Sequence, residues 1–334
     1  MRTVTILLTS VGVDTGPNVI QALRRSEQFA ARIIGVDGDP LAAGRALVDA
    51  FFTVPQISDE AYLPTLLELC RRERVDIFIP LFSKEIRVIA AHRAEFEAID
   101  VRMLLAPLET ITLCEDKTRF AQHLHAHRIA APTVFTQADA QLPFPVFAKQ
   151  LRGSASRYAT RVESAEELSF IRRRAGELSV QECLTGPEFT IDFLCNQEGK
   201  LVAGVARERV AVKDGKAVKA RTVVDPALFA AVEKLLTAMK VVGPANTQCI
   251  LHNGRYTFFE INTRFAAGGL PLTTHVGVNL PELLVQLLCG QEVQPRGFDY
   301  PPNVYMSRYL TETFFTEADL AATEPAAVVA EEIV

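Results

Sequence analysis

The first 105 residues alternate short apolar runs with amphipathic helical stretches, and this alternation restricts the fold more than any other feature. Residues 4–8, 32–36, 50–54, 76–80 and 101–105 read as strands. Residues 18–27, 62–74 and 84–98 read as helices. Strands separated by helical crossovers pair in parallel, because a parallel pair needs a long connection. The strands are apolar without strict alternation, which fits a sheet covered on both faces. A doubly wound parallel α/β domain is therefore predicted for residues 1–110.

A helix is predicted over 111–127, and then the pattern changes. Pro132, Pro143 and Pro145 punctuate a loop, and strands become frequent at 146–150, 159–162 and 180–183, with a helix at 165–175. Longer strands follow at 188–195, 201–212 and 216–224, then a helix at 226–239. Strands at 247–251 and 256–261 flank His252-Asn253-Gly254-Arg255, an Asn-Gly hairpin signal. A helix at 280–289 runs to Gly290, a glycine suited to a helix end. The predicted divisions are 111–185, 186–312 and a tail over 313–334, which is acidic and holds no Lys or Arg.

The net charge of -5 offers no basic stripe for nucleic acid. No run of eighteen apolar residues is present, so no membrane partner is expected. Residues 1–8 read as a first strand rather than a signal segment. The six cysteines are scattered and form no C-x-x-C, which suits reduced thiols and a cytoplasmic location. His123, His125 and His127 fall on a helix, but Leu124 stands where a zincin carries its Glu, so an exposed histidine face is expected.

The chemistry concentrates late in the chain. In Phe258-Phe259-Glu260-Ile261-Asn262-Thr263-Arg264, strand alternation puts Glu260, Asn262 and Arg264 on one face and Phe259 and Ile261 toward the core. Two hard oxygen ligands beside a guanidinium suit Mg²⁺ and a phosphate; a solvated strand face has the same pattern. Lys149 ends a strand that precedes Arg152-Gly153-Ser154-Ala155-Ser156-Arg157, a loop of small residues and hydroxyls fit to approach an anion or to cap a hairpin. No G-x-x-x-x-G-K-[ST] occurs, which disfavours a P-loop. Gln181-Glu182-Cys183-Leu184 offers polar and apolar contacts at a strand end. Arg207 and Arg209 alternate on one strand beside Lys219 and Arg221, a positive cluster for a carboxylate or phosphoryl group, or a set of solvated cross-strand charges. Ser83-Lys84-Glu85 at a strand end supplies substrate contacts or a helix cap.

The order of these segments, from Glu115-Asp116-Lys117 through Lys149, Gln181-Glu182, Gly186-Pro187-Glu188, the paired arginines and Gly243-Pro244-Ala245-Asn246-Thr247-Gln248 to Glu260-Ile261-Asn262-Thr263-Arg264, resembles the ATP-grasp superfamily. Within it, the chain is similar to the branch containing the modules of carbamoyl-phosphate synthase large chains, over residues 1 to about 310. The resemblance implies a pre-ATP-grasp α/β domain followed by a two-subdomain ATP-grasp fold, with 111–185 as the lid subdomain. It implies that Lys117 and Lys149 contact nucleotide phosphates under the loop carrying Gly153, Ser154 and Ser156. Glu182, Cys183 and Leu184 then contact adenine, and Glu188 the ribose. Gln248, Glu260 and Asn262 fall at the Mg²⁺ positions, Mn²⁺ being an acceptable substitute, and Arg264 at a phosphate contact, with Arg207 and Arg209 as further catalytic cations. Gln248 is neutral where many members carry an acid, and Thr263 replaces a common proline.

The function so implied is ATP-dependent ligation of a small carboxylate to an amine through an acyl phosphate. The default assembly is an isologous homodimer. Two other readings stay open at this stage: a nucleotide-binding regulatory protein without turnover, and a nicotinamide-dependent oxidoreductase. The latter rests on Asp37 after the second strand, and the first turn, Ser10 to Pro17, is not G-x-G-x-x-G.

Overall fold

The computed structural model describes residues 3–136, 141–152 and 158–321. They fall into two compact units: one joins the described parts of Met1–Leu105, Arg264–Gln294 and Tyr309–Val334, the other Ala106–Thr263 and Pro295–Arg308. The chain thus passes from one unit to the other inside the predicted 186–312 segment.

The first unit begins with β1 (Thr3–Thr9), α1 (Thr15–Arg24), β2 (Ala30–Asp37), β3 (Ala50–Thr53), α2 (Tyr62–Glu73), β4 (Ile77–Ile79), α3 (Ser83–Ala91) and α4 (Arg93–Glu97). The strands form a parallel sheet of order β3-β2-β1-β4. The order reverses between β1 and β4, so their carboxyl ends are the topological switch point. Leu7, Ile34, Val36 and Phe78 bury one face against Leu66, Leu69 and Ile89 of the helices.

Two expectations for this unit need correction. The helix predicted at 84–98 is two helices, because His92 leaves helical geometry at φ -109°, ψ 20°. The strand predicted at 101–105 is only a parallel bridge, Ile77 to Arg102, beside β4.

In the second unit, α5 (Leu108–Glu115) and α6 (Lys117–Ala126) replace the single helix predicted at 111–127. Asp116 causes the break: its backbone is extended, and its carboxylate accepts from the Thr118 and Arg119 N–H groups at 3.1 and 3.0 Å. Next come β5 (Val134–Phe135), β6 (Val146–Gln150), β7 (Thr160–Val162), α7 (Ala165–Ala175) and β8 (Leu178–Glu182). They build a four-stranded sheet of order β5-β8-β6-β7 over a small core of Val146, Ala148, Val162, Leu168 and Val180.

The larger sheet follows. It comprises β9 (Glu188–Cys195), β10 (Leu201–Lys213), β11 (Lys216–Thr222), β12 (Gly243–His252) and β13 (Arg255–Asn262), with α8 (Pro226–Met239) between β11 and β12. The chain then returns to the first unit for α9 (Leu270–His275) and α10 (Leu280–Leu288), and comes back for β14 (Tyr305–Ser307). The sheet is antiparallel, of order β13-β12-β9-β10-β11-β14. One face packs Phe189, Ile191, Phe193, Ala206, Cys249, Phe258 and Ile261 against Phe120, Leu124, Val232 and Leu235 of the helices. The β12–β13 turn uses Asn253 and Gly254 at positive φ, as the hairpin signal requires.

Among the described residues of the tail predicted at 313–334, Glu317–Ala321 form α11 in the first unit. Arg45 lies over the rings of Phe51 and Phe315, at 5.2 and 5.8 Å, and donates to the Asp319 carbonyl.

Candidate active site

Alternation on the large sheet separates the core face from a polar face. Where β9 buries Phe189, Ile191 and Phe193 on one side, Glu188, Thr190 and Asp192 take the other. Register aligns these with their neighbours. Glu260 lies opposite Gln248, Gln248 opposite Thr190, and Thr190 opposite Arg207, so four strands contribute to one row. A second row holds Asn262, Asn246 and Asp192.

The metal candidates sit side by side on this face. The Asn262 amide donates to Glu260 Oε1 at 3.0 Å and approaches Asn246 Oδ1 at 3.4 Å. Gln248 Oε1 accepts from Arg209 Nη1 at 3.3 Å. One carboxylate and two amide oxygens make a hard, oxygen-only donor set, which fits Mg²⁺ completed by phosphate oxygens and water. Among the described residues no cluster of three His, Cys, Asp or Glu is present. The His123–His127 pair instead makes a ring contact at 4.3 Å and bonds to backbone carbonyls, His123 to Ala238 and His127 to His123.

Both candidate phosphate lysines reach the same place. Lys149, on β6, is 6% exposed, and its Nζ donates to the Phe259 carbonyl at 3.1 Å. Burial pulls its ammonium down to about 8, against the attraction of Glu260. Lys117 occupies the first position of α6, behind the Asp116 cap. Burial lowers it as well, with Glu260, Asp116 and Glu115 opposing. The two ammonium groups therefore share the field of one carboxylate.

The arginines are more constrained than their pattern suggested. Arg207 is 2% exposed and grips Asp192 through two bonds, Nε to Oδ2 at 3.2 Å and Nη2 to Oδ1 at 3.0 Å. No role was assigned to Asp192 from the sequence, although it closes the segment Gly186 to Asp192 and the Glu188-x-Thr190-x-Asp192 alternation puts it on the face of Glu188. Arg209 Nε lies 2.9 Å from Glu188 Oε1, and Nη2 donates to the Gly215 carbonyl at 2.9 Å. Burial raises Glu188, which Arg209 opposes. Arg221 is not part of this face's free charge, since it pairs with Glu208.

At the end of β8, Glu182 turns its side chain away from the lysines. It accepts from the Thr133 N–H at 3.1 Å and lies 3.6 Å from His252 Nε2. Gln181, its neighbour, reaches Ser179 Oγ at 3.0 Å and the Lys117 carbonyl at 3.5 Å. Cys183 and Leu184 are half-buried. Gly153, Ser154 and Ser156 lie outside the described residues.

Arg264 belongs to the first unit. There its Nε donates to Ser83 Oγ at 2.8 Å, at the carboxyl end of β4. Glu85 is fully buried and cannot serve as the open substrate contact that the Ser83-Lys84-Glu85 segment suggested. Its oxygens accept from Thr9 Oγ1 at 2.6 Å, Tyr62 OH at 2.8 Å, Ser10 Oγ at 3.2 Å and the N–H groups of Leu81 and Phe82 at 3.0 and 2.8 Å. Asp37 is equally engaged, accepting from the Gly12 and Asp39 N–H groups at 2.8 and 3.0 Å. A carboxylate so occupied gives the dinucleotide reading little support.

Comparison with known proteins adds to this geometry. Residues 174–308 match the family model for ATP-grasp in the biosynthetic pathway with Ter operon, and residues 6–104 match the PylC-like N-terminal domain. The carbamoyl phosphate synthase large chain of Thermomicrobium roseum is 27% identical over 230 residues, 61% of this chain and 21% of that protein. The match thus spans about a fifth of that relative's length. L-amino acid ligase from Bacillus licheniformis superposes with TM-score 0.67 at 18% identity, covering 88% of this chain and 78% of the ligase. The ADP complex of N5-carboxyaminoimidazole synthetase from Staphylococcus aureus gives 0.70 at 13% identity, covering 89% and 80%. The biotin carboxylase domain dimer of Hydrogenobacter thermophilus 2-oxoglutarate carboxylase, with MgADP and bicarbonate, gives 0.70 at 14% identity, covering 90% and 73%.

Proposed function

The chain carries an ATP-grasp domain behind a PylC-like N-terminal domain, and from that premise we propose that it is an ATP-dependent carboxylate–amine ligase working through an acyl phosphate. One observation carries the reading. A half-buried lysine from α6 and a buried one from β6 share the field of Glu260, whose register partner Gln248 and strand neighbour Asn262 are amides. Such a face has surplus positive charge and hard oxygen donors, as a triphosphate requires.

In this reading Lys117 and Lys149 hold phosphate oxygens and neutralise charge as the γ-phosphoryl group moves to a carboxylate oxygen. The bond to the ADP leaving oxygen breaks as the bond to the carboxylate forms, and an amine then displaces phosphate from the acyl group. Glu260, Asn262 and Gln248 hold Mg²⁺, which when bound adds positive charge at the phosphate oxygens. Arg209 completes the positive lining, while the Arg207–Asp192 pair keeps β9 and β10 in register beneath it. Backbone and apolar groups of Glu182, Cys183 and Leu184 contact adenine. Glu188 contacts ribose. The substrates are a small carboxylate and an amine, the compartment the cytoplasm, where six unpaired cysteines are at home.

The test is ADP release from MgATP with pairwise mixtures of the twenty amino acids, bicarbonate included as an alternative acceptor. Hydroxylamine is added in parallel to trap acyl phosphate as a hydroxamate. ADP and hydroxamate appearing with one acceptor class support the reading. Tight MgATP binding with no ADP under any mixture contradicts turnover.

A further inference from the structure

The polar face depends on an irregularity in β13. Gln248 and Cys249 are consecutive on β12, yet they pair with Glu260 and Phe258. Phe259 is thus the extra residue of a β-bulge, with no counterpart on β12. The bulge separates the core residues Phe258 and Ile261 by an odd step, and this turns Glu260 onto the polar face. Strict alternation from Phe258 would have buried Glu260 in the core.

The bulge also changes what Phe259 itself does. Its carbonyl accepts from Lys149 Nζ at 3.1 Å, and its half-buried ring lies under the same ammonium, 5.3 Å from Nζ to the centroid. Other charged groups facing Lys149 are Glu260 on β13 and Lys117 on α6. Across its own sheet, β8 presents Ser179, which is uncharged. The lysine is therefore oriented by a carbonyl and a ring rather than by a contact ion pair. That leaves the positive charge unspent for a ligand.

We propose that Phe259 is the positioning residue for Lys149: the bulge presents its carbonyl and ring together, and these fix the ammonium where a nucleotide phosphate is read. The proposal rests on the nucleotide-binding reading above. A ring face under a desolvated ammonium suits a cation, and an aliphatic side chain of similar bulk does not reproduce it.

The test is a double-mutant cycle read by equilibrium binding of MgATP to the full chain. Phe259→Leu is expected to weaken MgATP binding about tenfold, the loss corresponding to a well-placed cation–π contact. In a Lys149→Gln background the same substitution is expected to change affinity less than about twofold, since the partner is gone. Phe259→Tyr retains the ring and is expected to bind as wild type. Melting midpoints without nucleotide establish that each variant is folded. Equal losses in both backgrounds would overturn the proposal, because Phe259 would then act on the nucleotide or the fold independently of Lys149. No loss in Phe259→Leu would overturn it too. A wild-type chain that fails to bind MgATP would instead overturn the functional reading, and this proposal with it.

Discussion

Replacing Lys149 by Met should stabilise the nucleotide-free chain while disabling it. Burial holds the ammonium at about 8 instead of 10.5. At about 1.4 kcal/mol per unit, keeping that charge inside costs about 3 kcal/mol at pH 7. Methionine removes the charge and keeps the bulk, but forfeits the bond to the Phe259 carbonyl, about 1 kcal/mol. The net gain is about 2 kcal/mol. Its pH dependence has a fixed sign. Below pH 8 the lysine is protonated in both folded and unfolded chains, and the full cost is present. Between about 8 and 10.5 the folded chain has released its proton and the unfolded chain has not, so wild-type stability rises with pH and the gap closes. Urea unfolding at pH 7 and pH 10 measures both points. In the same variant, loss of a charge-assisted phosphate contact of about 2 kcal/mol should weaken MgATP binding by more than tenfold. A variant less stable than wild type at pH 7, a stability gap unchanged at pH 10, or undiminished nucleotide affinity would refute the reasoning.

Other perturbations follow from the same contacts. Asp116→Ala removes the α6 cap and should cost about 1 kcal/mol in urea unfolding, with weaker MgATP binding because Lys117 sits on the first turn that frays. Asp192→Ala strands the buried Arg207 guanidinium and should cost about 3–5 kcal/mol, whereas Asp192→Leu with Arg207→Met should recover most of it; a double variant no more stable than the single one contradicts this account. Glu85→Gln sets an amide NH₂ among groups that donate to the carboxylate, and should lower stability by about 1–3 kcal/mol by thermal melting.

Much of this was legible because periodicity survives folding when one face is buried. The β1–β4 sheet was readable from apolar runs and their helical spacing. Arg264, expected on one face with Glu260 and Asn262, lies past the end of β13, whereas Glu260 and Asn262 were placed correctly on one face by alternation. Phe259 was not: it was expected in the core, and the bulge moved it under Lys149. An inserted residue leaves no mark in a run of two phenylalanines. The helix break at Asp116 escaped for a related reason, since a helical hydrophobic pattern continues across it and only the carboxylate's two N–H contacts terminate one helix and begin the next. Arg207 and Arg209 looked like open charges because strand spacing reveals direction but not partners; Asp192 and Glu188 lie on a different strand, and the register that joins them is a tertiary fact. Glu85 illustrates the converse: a carboxylate at a switch point suggests a ligand site, yet its donors come from three segments, two of them, at Thr9-Ser10 and Tyr62, far from it in sequence.

The most direct measurement is calorimetric titration of the wild-type chain and its Glu260→Gln variant with ATP, with and without Mg²⁺, and with NADH as the competing ligand. A triphosphate gathered by Lys117 and Lys149 around a Glu260-held cation requires saturable ATP binding that Mg²⁺ strengthens in wild type, loss of that Mg²⁺ effect in the variant, and no heat from NADH. Binding of NADH in preference to ATP, or a Mg²⁺ effect that persists without the Glu260 carboxylate, would contradict it.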